Sequence, residues 1–388
     1  MDEEFRRGEE TASARPPKPK KPRLIWRLLT VILTLALVLG AILIFLYRDR
    51  FSAESIRAFF GRTVSGQESA ALFSYENGSN QTFALVGDGL AVASASGIQL
   101  LDSSGATVVK EITGMDAPAV AGGKSTALFY DVGGSVCKLA SLSGTCVDVD
   151  AGRSILSASM GENGSFAVIS EESGSKGLVQ VFDSAGELLY QWYSGSGYPL
   201  RAQVSPDGKS LAVLCVSDEG SVIHFFRLSS ENELTSVRYD GELLYDLQYL
   251  SGSRLAAIGE DGVRFFAGDG STLGRYDFDG VYLSAYDLGG SGFATVYLTA
   301  YRAGTSGTLL TLDSEGKELG SEEVEGNLIS LSVNGKQILL ATSGSLAVYN
   351  QNVQLQRQQE LLVTAKKALL RSRDLLLLSS YSAEPFRF

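Results

Sequence analysis

A four-residue turn recurs along this chain at nearly even intervals, and no other feature narrows the possible folds as far. Asp, Ser or Asn stands first and Gly or Asn last at Asp102 to Gly105, Ser141 to Gly144, Asp183 to Gly186, Ser229 to Asn232 and Asp313 to Gly316. Ala267 to Gly270 and Asn350 to Val353 are degenerate copies. Counted between last residues, successive copies are 39, 42, 46, 38, 46 and 37 residues apart. The mean, about 41, is the length of a four-stranded propeller blade. A first side chain that caps the turn and a fourth residue that tolerates positive φ are what a hairpin with a type I turn and bulge requires.

From about Ala71 onward, runs of five to eight residues rich in Val, Leu, Tyr and Phe alternate apolar and polar positions between Gly/Ser/Asp/Asn clusters, without a sustained helical period. The expected class is all-β. Four strands fit each repeat; in the fourth unit they are Leu200 to Val204, Ser210 to Val216, Ser221 to Leu228 and Glu233 to Tyr239. Seven units run from Thr82 to about Leu361, and the C-terminal remainder supplies three more strands, Lys367 to Ser372, Leu375 to Ser380 and Glu384 to Phe388. Ala71 to Glu76 supplies the missing fourth. An eight-bladed propeller of four-stranded antiparallel sheets, closed by pairing the two chain ends, follows because it leaves no open edge in the ring. Seven blades with a frayed tail is the alternative.

The N-terminal part obeys other rules. Twenty consecutive residues from Leu28 to Tyr47 carry no charge, and as a helix they span roughly 30 Å, the thickness of a bilayer core. They exceed a signal-peptide core, and no small-x-small cleavage site follows before Arg48, so residues 24–48 read as an uncleaved transmembrane signal-anchor. Arg15, Lys18, Lys20, Lys21, Arg23 and Arg27 precede the span, while Arg48, Asp49 and Arg50 follow it. Positive charge stays inside, which puts residues 1–23 in the cytoplasm as a disordered basic tail and everything after the span outside. Residues 49–70 form a juxtamembrane linker with a short helix, and residues 71–388 the propeller ectodomain. The formal net charge of −11 divides into +4 for residues 1–50 and −15 for the rest, which argues against a nucleic-acid surface.

Ser205-Pro206-Asp207-Gly208-Lys209, followed by Leu211-Ala212-Val213, resembles the turn of WD40-like and TolB-like propellers. The whole plan of basic tail, single span and propeller resembles a bacterial membrane-anchored propeller family without an established activity, grouped with the quinoprotein-like (PQQ-like) propellers. The resemblance implies fold and address, not chemistry. The tryptophan docking motif of quinoprotein dehydrogenases is absent, because only Trp26 and Trp192 exist.

One His and three Cys leave little for a zinc site or a His-based catalytic machine. His224 has no second His beside it and reads as a packed residue. Cys137 and Cys146 flank one hairpin turn; with Ala140 opposite Cys146 their sulfurs fall on opposite faces, so no disulfide is expected and the cysteines read as small hydrophobes. Asp277-Phe278-Asp279-Gly280 and Asp148-Val149-Asp150 fall short of the ligand count of a calcium loop. Asn77, Asn80 and Asn163 open sequons. No metal or cofactor is expected. The binding candidates lie on loops converging at one mouth of the central channel: Glu171, Glu172, Lys176, Tyr198, Asp218, Glu219, Tyr301 and Arg302. An acid-rich mouth with some aromatics suits a protein, peptide or glycan partner. The expected function is that of an extracytoplasmic binding or interaction scaffold; the alternative is a quinoprotein-like or glycan-active enzyme using channel carboxylates.

Overall fold

The computed structural model describes residues 73–302, 304–361 and 365–388. The expectations for the tail, the span and the linker fall outside these residues. Among the described residues no helix is long and apolar enough to cross a membrane.

The described chain forms eight four-stranded antiparallel sheets. Blade 1 covers residues 82–112, blade 2 118–148, blade 3 155–193, blade 4 198–240, blade 5 244–277, blade 6 282–325 and blade 7 328–360. Blade 8 takes three strands from the C-terminus, Lys367–Leu370, Leu375–Leu378 and Ser382–Phe386, and its outer strand from Phe73–Ser74 at the other end of the described chain. Phe73 pairs with Ala383 and Ser74 with Ser382, so the ring is shut by hydrogen bonds between its ends. The sequence expectation of eight blades, rather than seven and a frayed tail, is what the structure shows.

Six of the seven recurring turns share one hydrogen-bond pattern, in which the first residue's N–H meets the fifth carbonyl and the fourth N–H meets the first carbonyl; Asp183, Gly186 and Glu187 illustrate it. The Asp183 carboxylate also accepts the N–H groups of Ala185 and Glu187 at 2.8 and 2.9 Å, the capping role expected of the first position. Blade 4 departs from the expected turn at Ser229 to Asn232. Its chain turns two residues earlier, with Ser230 N–H donating to the Arg227 carbonyl at 2.9 Å, while Leu228 N–H goes to Lys209 in the same blade. Asn232 does not enter the left-handed region, whereas the β-branched Val353 does, at φ 55°. Val353 is held there by burial in the core between blades 6 and 7.

The apolar core consists of eight clusters, each filling the gap between two neighbouring blades. On the second strand of blade 4, Leu211, Val213 and Cys215 face blade 3, and Ala212 and Leu214 face blade 5. The middle strands are thus buried on both faces. That is why Gly89–Ser94 and Phe293–Thr299 are mostly apolar and buried at every position rather than alternating as expected of half-buried strands. Alternation with polar residues belongs to the outer strands, and Leu355–Glu360 is exposed throughout.

Candidate interaction face

Strand direction divides the propeller into two ends. Each blade's first strand, the innermost, starts where the chain arrives from the previous blade, so blade-to-blade crossovers and the second-to-third-strand connections share one end. The recurring hairpin turns lie at the other. All eight loop candidates sit at the crossover end: Glu171, Glu172 and Lys176 in blade 3, Tyr198 at the start of blade 4, Asp218 and Glu219 in blade 4, and Tyr301 and Arg302 in blade 6. They form two groups, with blade 5 between them.

Several are partnered, two of them across blade boundaries: Lys176 with Tyr198, and Arg302 with Glu260. Lys176 Nζ lies 3.3 Å from the Tyr198 hydroxyl and 4.8 Å from the centre of its ring. Glu172 faces Arg153 at 3.5 Å and Glu219 faces Arg238 at 2.9 Å. Arg302 reaches Glu260 of blade 5 at 3.4 Å and covers the Tyr282 ring at 5.4 Å. Glu171, Asp218 and Tyr301 make no side-chain contact of this kind among the described residues. Arg thus answers two of the four candidate carboxylates, Glu172 and Glu219, and leaves Glu171 and Asp218 to solvent.

What stands out at this end is apolar surface. Nine of the fifteen exposed large hydrophobics of the described chain belong to it: Ile112, Val132, Leu156, Tyr193, Tyr198, Leu243, Val281, Tyr282 and Tyr301. Ile112 is 90% exposed and Tyr301 75%. Apart from mid-strand Val147, the others lie toward the hairpin end, five residues scattered over outer strands and the C-terminus. Exposed large apolar side chains are thus concentrated at one end of the described propeller. The sequence carries no local signal for them: Leu243 and Leu244 are consecutive leucines, yet Leu244 is fully buried and Leu243 is 54% exposed, whereas Tyr249 and Leu250 of the strand that follows are both buried.

The channel is lined by polar side chains that tie neighbouring inner strands together. Ser157 donates to the Leu200 carbonyl at 3.0 Å, and Ser159 to that of Ala202. Asp246 holds Arg201 of blade 4 at 3.1 Å, accepts the Tyr286 hydroxyl of blade 6 at 2.8 Å, and takes its neighbour Leu247 N–H at 2.8 Å. Ser330 donates to the Ala368 carbonyl at 2.9 Å, and Asp287 accepts Val333 N–H at 2.8 Å. Inner strands have one edge without a strand neighbour, and these side chains satisfy backbone groups that would otherwise depend on channel water. Burial, then the nearby Asp246 charge, pushes the Tyr286 hydroxyl above the usual phenol range. Both Asp246 oxygens are engaged, so this carboxylate acts as a bracket across three blades.

The remaining sequence candidates are placed individually. His224 Nδ1 lies 2.9 Å from Glu233, and its ring packs 5.1 Å from Trp192. Asp277 meets Arg264 at 2.8 Å and Asp148 meets Lys138 at 2.6 Å, so each partners a cation of its own blade. Among the described residues no three His, Cys, Asp or Glu side chains converge on a point. Ala140 opposes Cys146, the expected register, and Cys137, Cys146 and Cys215 are free thiols.

A profile described as a family of unknown function (DUF5711) matches residues 62–380. No curated protein sequence matches the chain. Among solved structures, BamB from Moraxella catarrhalis is similar at 14% identity and a TM-score of 0.50, over 81% of this chain and 100% of that one. The C-terminal WD40 domain of Sif2 is similar at 9% identity and a TM-score of 0.57, over 82% and 99%. At such identities the likeness is one of fold.

Proposed function

The chain belongs to that family of unknown function, and from this premise we propose that it is a single-pass, membrane-anchored scaffold that presents its propeller outside the cytoplasmic membrane and docks a protein partner on the crossover end. The carrying observation is the concentration of exposed Ile, Leu, Val and Tyr side chains at that end, bordered by the Lys176–Tyr198 and Arg302–Tyr282 pairs. Tyr and Arg side chains are enriched in protein interfaces. The fold is shared with a solved WD40 domain. The membrane address rests on the uncharged run from Leu28 to Tyr47 and its basic flank. No catalytic constellation enters this reading, and the binding role asks for none.

The test is site-specific photocrosslinking of the full-length protein in intact cells. A crosslinker at Ile112 or Tyr301 is expected to trap a discrete partner, while one at Leu355, on the outer flank toward the hairpin end, traps none. Ile112→Asp with Tyr301→Asp should abolish the adduct and change stability by no more than about 0.5 kcal/mol per site. Equal labelling from both ends, or none from either, defeats the proposal.

A further inference from the structure

Between the outer strand of blade 6, Glu318–Glu325, and the neighbouring blade 7 lies a pocket of about 190 Å³. Its floor is apolar, made by fully buried Leu340 and by Ala347, whose side chain stops at a methyl group. Glu322, Glu323 and Glu325 stand around it, and no Lys or Arg lines it. None of the three carboxylates has an ion-pair or hydrogen-bond partner among the described residues. Glu322 shares the strand face of Val324, which packs in the core between blades 6 and 7, so alternation puts this carboxylate on the blade 7 side.

An acidic rim by itself is a solvated surface. What distinguishes this one is Tyr349, which is 3% exposed and belongs to the core behind the pocket. Its hydroxyl makes no hydrogen bond among the described residues. The unpaired hydroxyls of Tyr190 and Tyr249 are sealed in the protein, whereas that of Tyr349 borders the pocket. Burial, then the nearby Glu322 charge, raises the Tyr349 phenol to about 12, so at neutral pH it remains a hydroxyl with lone pairs free to accept.

No three carboxylates among the described residues converge as a metal site requires. The volume is below the roughly 300–1,000 Å³ of sites for drug-sized ligands and suits the end of one side chain. The rim selects a cation. Its acceptors are separate groups, the Glu322 carboxylate, the Tyr349 hydroxyl and the Gln358 amide oxygen, and a planar guanidinium with five donors meets them better than a compact, strongly hydrated ammonium. Leu340, Ala347 and the Tyr349 ring offer apolar cover to its methylene stem. We propose that the pocket between blades 6 and 7 receives the guanidinium of an arginine side chain carried on a polypeptide, with Glu322 as its ion-pair partner and the Tyr349 hydroxyl as an acceptor. The hydrogen bonds so formed are charge-assisted, the stronger kind. No cation on the rim answers an α-carboxylate, which favours arginine within a chain over the free amino acid. The assignment rests neither on the membrane address nor on docking at the apolar rim.

Saturation-transfer difference NMR titrations on the full-length chain in detergent test this with Nα-acetyl-arginine methylamide, its lysine and citrulline counterparts, and free L-arginine. The capped arginine is expected to bind with a Kd in the millimolar range or below. The neutral citrulline counterpart should bind at least tenfold more weakly, and the lysine counterpart and free arginine at least threefold more weakly. Glu322→Gln and Tyr349→Phe should each weaken capped arginine at least threefold while leaving the thermal unfolding midpoint in place, because neither group has a bond to lose. Glu187→Gln, which removes the same charge from blade 3, should leave binding unchanged. Absence of saturation by capped arginine, equal binding of any of the other three compounds, or an equal loss in Glu187→Gln overturns the proposal.

Discussion

Arg371 and Asp374 form a two-point ion pair inside one hairpin, Nε to Oδ1 at 2.7 Å and a terminal guanidinium nitrogen to Oδ2 at 2.9 Å, with both side chains more than nine-tenths buried. The same guanidinium donates to the Asp88 and Ser103 carbonyls of blade 1 at 2.8 and 3.1 Å and lies 4.9 Å from the centre of the Phe73 ring. One side chain therefore joins the inner hairpin of blade 8, two loops of blade 1 and the strand that closes the ring. Arg371→Met leaves the buried Asp374 with only the exposed Arg387, 4.0 Å away, to answer it and is expected to cost about 3–5 kcal/mol. Urea unfolding of the full-length protein measures it, and a second change, Asp374→Leu, should restore part of the loss. Strict additivity of the two changes would show that the pair is not coupled.

Phe73 is the anchor of the closing strand, 1% exposed and packed with Leu90, Leu369 and Leu376. Phe73→Ala is expected to cost about 3–5 kcal/mol. The loosened strand should also make the C-terminal residues after Tyr381 the first site of limited proteolysis. Cleavage elsewhere in the ring at equal rate would mean that closure does not depend on this side chain.

Backbone approaches between outer strands and the next blade's turn are close enough to exclude a methyl group. A Cβ at Gly274 would lie 1.8 Å from the Glu315 carbonyl oxygen, and one at Gly320 would lie 2.2 Å from that of Asn352. Gly274→Ala and Gly320→Ala are each expected to destabilise by about 1–3 kcal/mol. Gly344→Ala meets nothing within 4 Å and should be neutral or stabilise by up to about 1 kcal/mol. Thermal denaturation of the three variants side by side checks the contrast.

Burial raises the thiols, Cys137 and Cys215 to about 12 and Cys146 to about 11. Folding thus favours their protonated form. The stability they contribute is complete below the ordinary thiol range of about 8.5 and falls as the pH climbs from there toward 11–12, because the unfolded chain ionises first. Iodoacetamide at pH 8 should modify the native protein slowly, half-buried Cys146 ahead of the other two, and all three quickly in urea. Mass spectrometry of the alkylated peptides gives the order; prompt modification of Cys215 in the native protein would contradict it.

Much of the ring is legible residue by residue. Turn chemistry at Asp102, Asp183 and Asp313, and strand alternation around Cys137 and Cys146, depend on neighbours in sequence, and the structure follows them. The spare strand before Glu76 is legible from counting strands per sheet. Legibility stops at blade boundaries. Whether Arg302 answers Glu260, or Arg201 answers Asp246, depends on the angle between sheets, which no local pattern encodes. The turn of blade 4 slipped for a related reason: Leu228 takes a backbone partner at Lys209, and that pairing outweighs the preference of Asn232 for a left-handed turn. The apolar rim is hidden because an exposed Leu243 and a buried Leu244 look alike in composition.

Tyr75 hydrogen-bonds the Ser382 carbonyl at 2.8 Å across 307 residues of chain. During translation at roughly 5–20 residues per second, the first strand waits about 15–60 s before its partner emerges from the ribosome. Throughout that interval Phe73 and the inner face of blade 1 lack their final packing, and the growing sheet stack keeps an open edge at each end. The biogenesis of this protein is therefore a race against premature pairing, decided only when the last twenty or so residues arrive, and a chaperone that shields Phe73 has its work to do before that moment rather than after it.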